Sequence, residues 1–301
     1  MLPPLALQLP RHLRPRPNEA PAAPSEPIPP IVVKPANQQY TMRVTFSTLL
    51  LLLLFTACGD SSNTSTATAE APTETPVMEN KKEVVMTPIF HAAVVLEYDG
   101  LTIFVDPYDK PEKFTSFGAP DMVVITHTHG DHFNEEVLSA LDLSGAELFG
   151  PAAVTEKAGE MGFEKVTTLA NGEDAARGDI TVNAVAAYNL PKAEDSFHPP
   201  GKFNGYVIDM GGQRYYFSGD TEDVEEMRAL QDIDVAFVCM NQPYTMEMAA
   251  AADAVLDFKP EKVYPYHYRN QDGSFMDTKE FARLVEEGDK TIEVVVADWY
   301  K

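Results

Sequence analysis

The chain reads as an α/β protein in which two mixed β-sheets pack face to face with helices on their outer faces. Three observations predict it. From Glu83 onward short β-branched runs alternate with helical patterns, and hairpins precede β-α alternation in each half. Of the 301 residues 44% are apolar, with 16 Phe and 12 Tyr, enough to bury a large core. Charge is uneven: residues 58 to 301 hold 18 basic and 44 acidic side chains, net −26, against −23 for the whole chain. That acidity, without a basic cluster, argues against a nucleic-acid partner. Two cysteines, Cys58 and Cys239, exclude a disulfide framework.

The front of the chain has a different character. Residues 1–41 contain 11 of the 24 prolines and no sustained apolar period, so they are expected to stay extended and outside the fold, upstream of a natural start at Met42. Residues 42–57 combine Met42-Arg43 with an apolar run that includes six leucines (Leu49 to Leu54) and ends in Thr56-Ala57. This reads as a secretory signal, too short for the roughly 20 residues of a membrane span. Small residues before Cys58 resemble the lipobox of bacterial lipoproteins. That implies a lipid on Cys58, anchorage to a membrane, and residence in the bacterial cell envelope, periplasmic or on the outer surface. Residues 58–82, rich in Ser, Thr, Ala and Pro, would be a flexible tether with a reach of roughly 25 Å. Residues 83–301 form the folded domain.

Within that domain, Ala92 to Tyr98 and Leu101 to Val105 flank Asp99-Gly100, a two-residue hairpin signal. An apolar strand, Asp121 to Ile125, runs into a histidine cluster, with a helix behind it from Phe133 to Leu141. Strands follow at Ala146 to Phe149, Lys165 to Thr168 and Ile180 to Ala187, with a helix at Ala152 to Met161. A second hairpin joins Gly205 to Asp209 and Gln213 to Phe217. Then come a helix from Glu222 to Leu230 that Thr221 can cap, a strand at Ile233 to Met240, and an alanine-rich helix at Met246 to Phe258. A strand at Lys262 to Tyr266, a helix at Thr278 to Glu287 and a strand at Thr291 to Val296 close the order.

Thr126-His127-Thr128-His129-Gly130-Asp131-His132 places three imidazoles and a carboxylate just past a buried strand. Residues two apart in an extended segment point the same way, so His127 and His129 can grip one ion. Gly130 lets the chain turn, after which Asp131 and His132 are expected to open a helix aimed at a second ion. The plain alternative is a polar surface loop, although such loops seldom carry this density of ligands. Imidazole with carboxylate suits Zn²⁺, Mn²⁺ or Fe.

The pattern H-x-H-x-D-H resembles the metal-binding signature of the metallo-β-lactamase superfamily, over roughly Glu83 to Lys301. The resemblance implies a four-layered αβ/βα sandwich with the metals at one end of the two sheets. Phe217-Ser218-Gly219-Asp220-Thr221 is similar to the loop whose aspartate bridges two metals, and Pro265-Tyr266-His267-Tyr268 to the strand end bearing the last histidine. His198-Pro199-Pro200-Gly201 resembles the segment carrying the third ligand of the first metal. The N-acyl-phosphatidylethanolamine phospholipase D branch instead places that histidine where this chain has Tyr188-Asn189, and Asn189 would be a poor zinc ligand. His198 is therefore favoured as the ligand, with a substrate contact or plain surface as alternatives. Phe90-His91-Ala92-Ala93 resembles the strand start of ascorbate-6-phosphate lactonase-like hydrolases, where the histidine lies near the metals and bears on catalysis. Asp106-Pro107 resembles the family's aspartate that orients the ligand loop, or is a turn residue.

The implied activity is a hydrolase with two divalent ions, zinc foremost and manganese or iron as alternatives. It would act on a small ester, lactone or phosphodiester, with Asp131 orienting the attacking water and shuttling a proton. Tyr244, Tyr266 and Tyr268 fall beside strand ends, where they are candidates for stabilising an oxyanion or for rim packing. Cys239, inside an apolar strand, is expected to be a buried small hydrophobe. The competing reading is a non-catalytic metal- or ligand-binding lipoprotein on the same scaffold.

Overall fold

Among the described residues, two seven-stranded sheets repeat one construction, an antiparallel meander followed by parallel strands. The computed structural model describes residues 30–33 and 82–300. Cys58, the signal-like run and nearly all of the tether lie outside the described residues. The first sheet runs in chain order through β1 (Ile31–Val33), β2 (Val84–Phe90), β3 (Ala93–Tyr98), β4 (Leu101–Val105), β5 (Met122–Val124), β6 (Glu147–Gly150) and β7 (Lys165–Thr168). The second runs through β8 (Asp174–Arg177), β9 (Ile180–Ala187), β10 (Phe203–Met210), β11 (Arg214–Phe217), β12 (Val235–Cys239), β13 (Lys262–Tyr266) and β14 (Glu293–Val294). Pairing turns parallel from β4 onward in one sheet and from β11 onward in the other.

Parallel neighbours need crossovers, and six helices lie in them: α1 (Glu112–Thr115), α2 (Glu135–Ala140), α3 (Ala152–Ala158), α4 (Glu225–Arg228), α5 (Met248–Phe258) and α6 (Thr278–Gly288). The larger apolar cluster fills the space between the sheets and extends under α5 and α6. A second cluster lies on the other face of the first sheet, under α2 and α3. Strand β3 serves both: Val94 and Leu96 face the second sheet, Ala93 and Val95 face the helices. Burial on both faces explains its near-continuous apolar run.

The fold class is as expected from the sequence, with local differences. Ile31–Val33 pairs antiparallel with Val84–Met86, so these three residues belong to the sheet although residues 1–41 were expected outside the fold. Their β-branched run supplies the edge strand that the surrounding prolines cannot. Strands β2 and β8 and helix α1 lacked a clear pattern; β2 carries a mid-strand Pro88 and a bulge before Phe90. Thr221 does not cap α4: the helix begins after Val224, and the Thr221 hydroxyl instead donates to the Glu222 carbonyl and accepts the Tyr188 N–H. Among the described residues no helix is long and apolar enough to cross a membrane.

Candidate metal centre

The parallel strands end on one side, where ligand-binding clefts of open α/β sheets form. After β5, Ile125 still pairs with Phe149, and the next residues leave the sheet. Asp131 and His132 do not open a helix as expected: the His129 carbonyl accepts the N–H groups of His132 and Phe133, closing a turn, and α2 starts later under an Asn134 cap. Asp220 follows β11 through Gly219, whose φ is +58°. A Cβ there would lie 2.9 Å from the Asn204 carbonyl and 3.0 Å from Thr126, so only glycine lets this loop pack against the histidine segment. His91, Asp106 and His267 all have positive φ, at 59°, 43° and 46°. These non-glycine residues are held strained where strand ends meet, a pattern typical of functional sites.

The side chains converge as three triads, two of which share His127. His127, His129 and His198 bring one nitrogen each to within 4.8 Å of one another, as do the ligand atoms of His91, Asp131 and His267 and of His127, His132 and Asp220. His127 Nε2 and His129 Nδ1 stand 3.1 Å apart. Two nitrogens about 2.1 Å from one tetrahedral ion would lie roughly 3.4 Å apart. Asp220 faces a member of each triad: Oδ2 is 3.5 Å from His198 Nε2, while Oδ1 is 3.2 Å from His132 Nε2 and 3.4 Å from His267 Nε2. Among the described residues, His132 Nε2, His198 Nε2, His267 Nε2 and Asp220 Oδ1 are buried without a hydrogen-bond partner. Orphaned imidazole and carboxylate atoms facing a common centre fit a divalent cation.

A second layer sets which nitrogen each ring presents. Asp106 accepts the Thr126 N–H (2.8 Å), the Thr126 hydroxyl (2.7 Å) and His132 Nδ1–H (2.7 Å), leaving His132 Nε2 for the centre. Because the Thr126 hydroxyl donates to Asp106, its oxygen accepts from His127 Nδ1 at 2.9 Å, so His127 also presents Nε2. Asn189 does the same for His198, accepting its Nδ1–H at 3.1 Å and its backbone N–H at 2.8 Å. The structure thus places His198 with His127 and His129, and Asn189 behind it. His91 Nε2 donates to Asp131 at 3.2 Å while Nδ1 accepts from the Tyr300 hydroxyl at 2.9 Å.

The electrostatics call for positive charge. Burial works against ionising Asp131 and Asp220, yet the neighbouring histidines, His132 and His267 foremost, outweigh it and hold both well below the usual carboxylate range. Burial likewise opposes charging His132, but Asp220, Asp106 and Asp131 raise it well above the ordinary imidazole value. Burial pushes His198 down to about 4 against the pull of Asp220, and pushes His91 to about 4 with help from His267. Carboxylates held ionised in this way call for compensating positive charge, which a divalent ion would supply.

A cleft of about 540 Å³ opens over the cluster and is lined by His91, His129, Asp131, His198, Asp220 and His267. Of the three tyrosines singled out, Tyr244 lines it. Tyr266 and Tyr268 do not, and of the two alternatives both follow packing. Tyr266 is buried under the Asp220 loop, its hydroxyl accepting the Gly219 N–H at 2.9 Å. Tyr268 packs against Phe275 and Tyr300. Cys239 is buried, and burial followed by the charge of Asp220 pushes its thiol up to about 12. Sequence reading missed Thr126, Tyr300 and Arg269. Thr126 was signalled only by its place inside the histidine motif, and Tyr300 and Arg269 by nothing local.

Residues 86–267 match the family described as the beta-lactamase superfamily domain. A UPF0173 metal-dependent hydrolase of Methanopyrus kandleri is 30% identical over 222 residues, covering 71% of this chain and 96% of the relative. A candidate metal-dependent hydrolase from Parabacteroides distasonis has a crystal structure that aligns with TM-score 0.63 at 35% identity, covering 73% of this chain and 94% of that one. A metallo hydrolase from Ignicoccus hospitalis aligns with TM-score 0.62 at 26% identity, covering 72% and 96%. With its fold, its histidine motif and its domain match in agreement, the chain belongs to the metallo-β-lactamase superfamily and is one of its hydrolases.

Proposed function

We propose that the chain is a hydrolase of small ester, lactone or phosphodiester substrates that works with two divalent ions, zinc foremost. The observation that carries this is Asp220, whose two carboxylate oxygens face two different histidine sets. His127, His129 and His198 would hold one ion, Asp131, His132 and His267 the other, and Asp220 would reach both. Bound divalent ions lower the pKa of a coordinated water from about 15.7 toward 7 and polarise a carbonyl or phosphoryl oxygen.

The chain's own residues do the rest. Asp131, on the cleft wall and held ionised, is placed to accept a proton from the attacking water and return it to the leaving group. His91 and Tyr300 keep that carboxylate aimed, since the Tyr300 hydroxyl donates to His91 and His91 donates to Asp131. Tyr244 lines the cleft beside the cluster, within reach of a bound substrate.

Metal analysis and a substrate screen test the proposal together. The purified chain should carry about two equivalents of divalent metal and hydrolyse at least one of bis(p-nitrophenyl) phosphate, a p-nitrophenyl ester or a simple lactone. His127→Ala should abolish that turnover. Full activity in metal-free protein would overturn it.

A further inference from the structure

The cleft has walls that the metal cluster does not explain. Five arginines occur among the described residues. Arg177, Arg214, Arg228 and Arg283 each pair with a carboxylate. Arg269 lines the cleft and forms no ion pair with any described residue, in a domain rich in acids. The carboxylate nearest in the chain, Asp272 on the same rim, is taken by the N–H and hydroxyl of Ser274 at 2.9 and 2.6 Å. The rim that carries Arg269 is itself anchored: Gln271 N–H donates to the Gln242 carbonyl at 3.1 Å, and Gln242 N–H donates to the Asn270 side chain at 2.9 Å. A guanidinium left unpaired at the mouth of a ligand cleft is a ready partner for a carboxylate, sulfonate or phosphoryl oxygen.

An apolar element lies on the His198 side of the same cleft. Phe197 is 54% exposed, and of the five large hydrophobic side chains exposed among the described residues it is the one that lines the cleft. Its ring meets Tyr244 edge-on, with centroids 4.8 Å apart. The pair forms an aromatic wall that solvent still reaches and that a planar or aliphatic group would cover.

We propose that Arg269 together with the Phe197–Tyr244 pair forms a substrate-binding subsite that selects small organic anions with an aromatic or apolar body. The subsite rests on the hydrolase reading, because it supplies the substrate class on which that chemistry would act. Arg269 takes the anionic group, and the aromatic wall takes the body. Polyanions are disfavoured by the surrounding acidic surface, whereas one charge on a small molecule is matched by one cation.

Binding is measured by titration calorimetry on the purified metal-loaded chain with benzenesulfonate and with methyl phenyl sulfone, an uncharged partner of nearly equal shape. Sulfonate is a weak metal ligand, so the difference between the two probes reads Arg269. Benzenesulfonate should bind about fivefold tighter than the sulfone, the size expected of one solvent-exposed ion pair. Arg269→Gln should reduce that ratio to about one, Arg269→Lys should retain most of it, and Phe197→Ala should weaken both probes alike. Equal binding of the two probes by the wild type, an unchanged ratio in Arg269→Gln, or no binding of either would overturn the subsite. Circular dichroism checks that each variant is folded. Metal content and metal-dependent turnover of the wild type, measured separately, judge the hydrolase reading, so the two fail in different experiments.

Discussion

Asp106 does not line the cleft, yet three hydrogen bonds converge on its carboxylate and through them two histidines are aimed. Its positive φ of 43° is the backbone cost of turning that carboxylate back under the histidine segment. Asp106→Asn keeps the shape but replaces an acceptor oxygen with an amide N–H, which cannot receive His132 Nδ1–H. Metal affinity should fall roughly 10- to 100-fold, the usual loss when a ligand's supporting partner is removed. Competition with a chromogenic chelator reads this directly; unchanged affinity would show that the carboxylate serves the turn alone. His198 depends on the neutral Asn189 in the same manner, a division of labour that keeps a poor ligand out of the centre and uses it behind a good one.

Two glycines around the end of β11 decide whether the ligands meet. Gly205 in β10 lies beneath the end of β11, and a Cβ there would stand 2.7 Å from the Ser218 carbonyl. Gly219 then carries the chain across Thr126 in a left-handed conformation. Gly219→Ala adds both a steric contact and a left-handed penalty of about 1–2 kcal/mol, and relief of either moves Asp220. The expected outcome is a destabilised chain that binds metal weakly, measured by denaturant unfolding and by metal titration. A fully stable variant with intact metal binding would mean that the loop can adapt. The tyrosines show the same dependence on element geometry: Tyr266, the last residue of β13, turns inward to hold the Gly219 N–H, and so braces the centre from behind.

Across the whole molecule, the two sheets are tied at the cluster, since His127 and Asp131 follow the first sheet while Asp220 and His267 follow the second. Ions bound there would cross-link the halves and stabilise the folded state by mass action, by roughly 3–4 kcal/mol at saturating metal. For a domain of this size that corresponds to a rise in melting temperature on the order of 10 °C. Differential scanning calorimetry with and without a chelator measures it. An identical transition in both states would show that the ions do not bridge the sheets.

Much of this was legible along the chain. Alternating apolar runs and the Asp99-Gly100 turn define strands β3 and β4, and the density of histidines past β5 marks the centre, because both signals are local. Helix starts were less legible: Asn134, not the histidine turn, opens α2, since a carbonyl bond to His129 satisfies that turn first. Strand β2 was hidden because its Pro88 and its bulge break the alternation that marks a strand. Periodicity and motif spacing in the amino-acid order were therefore enough to reveal the layers, the ligand types and the chemistry they suit. Which nitrogen each ring presents, why Tyr266 lies under the loop, why Tyr300 meets His91 and why Arg269 reaches the cleft were settled by folding alone. Most of those features arise from contacts between strand ends and loops well apart in the chain, Asp106 with His132, Tyr266 with Gly219 and Tyr300 with His91, which only the folded arrangement of the strands brings together.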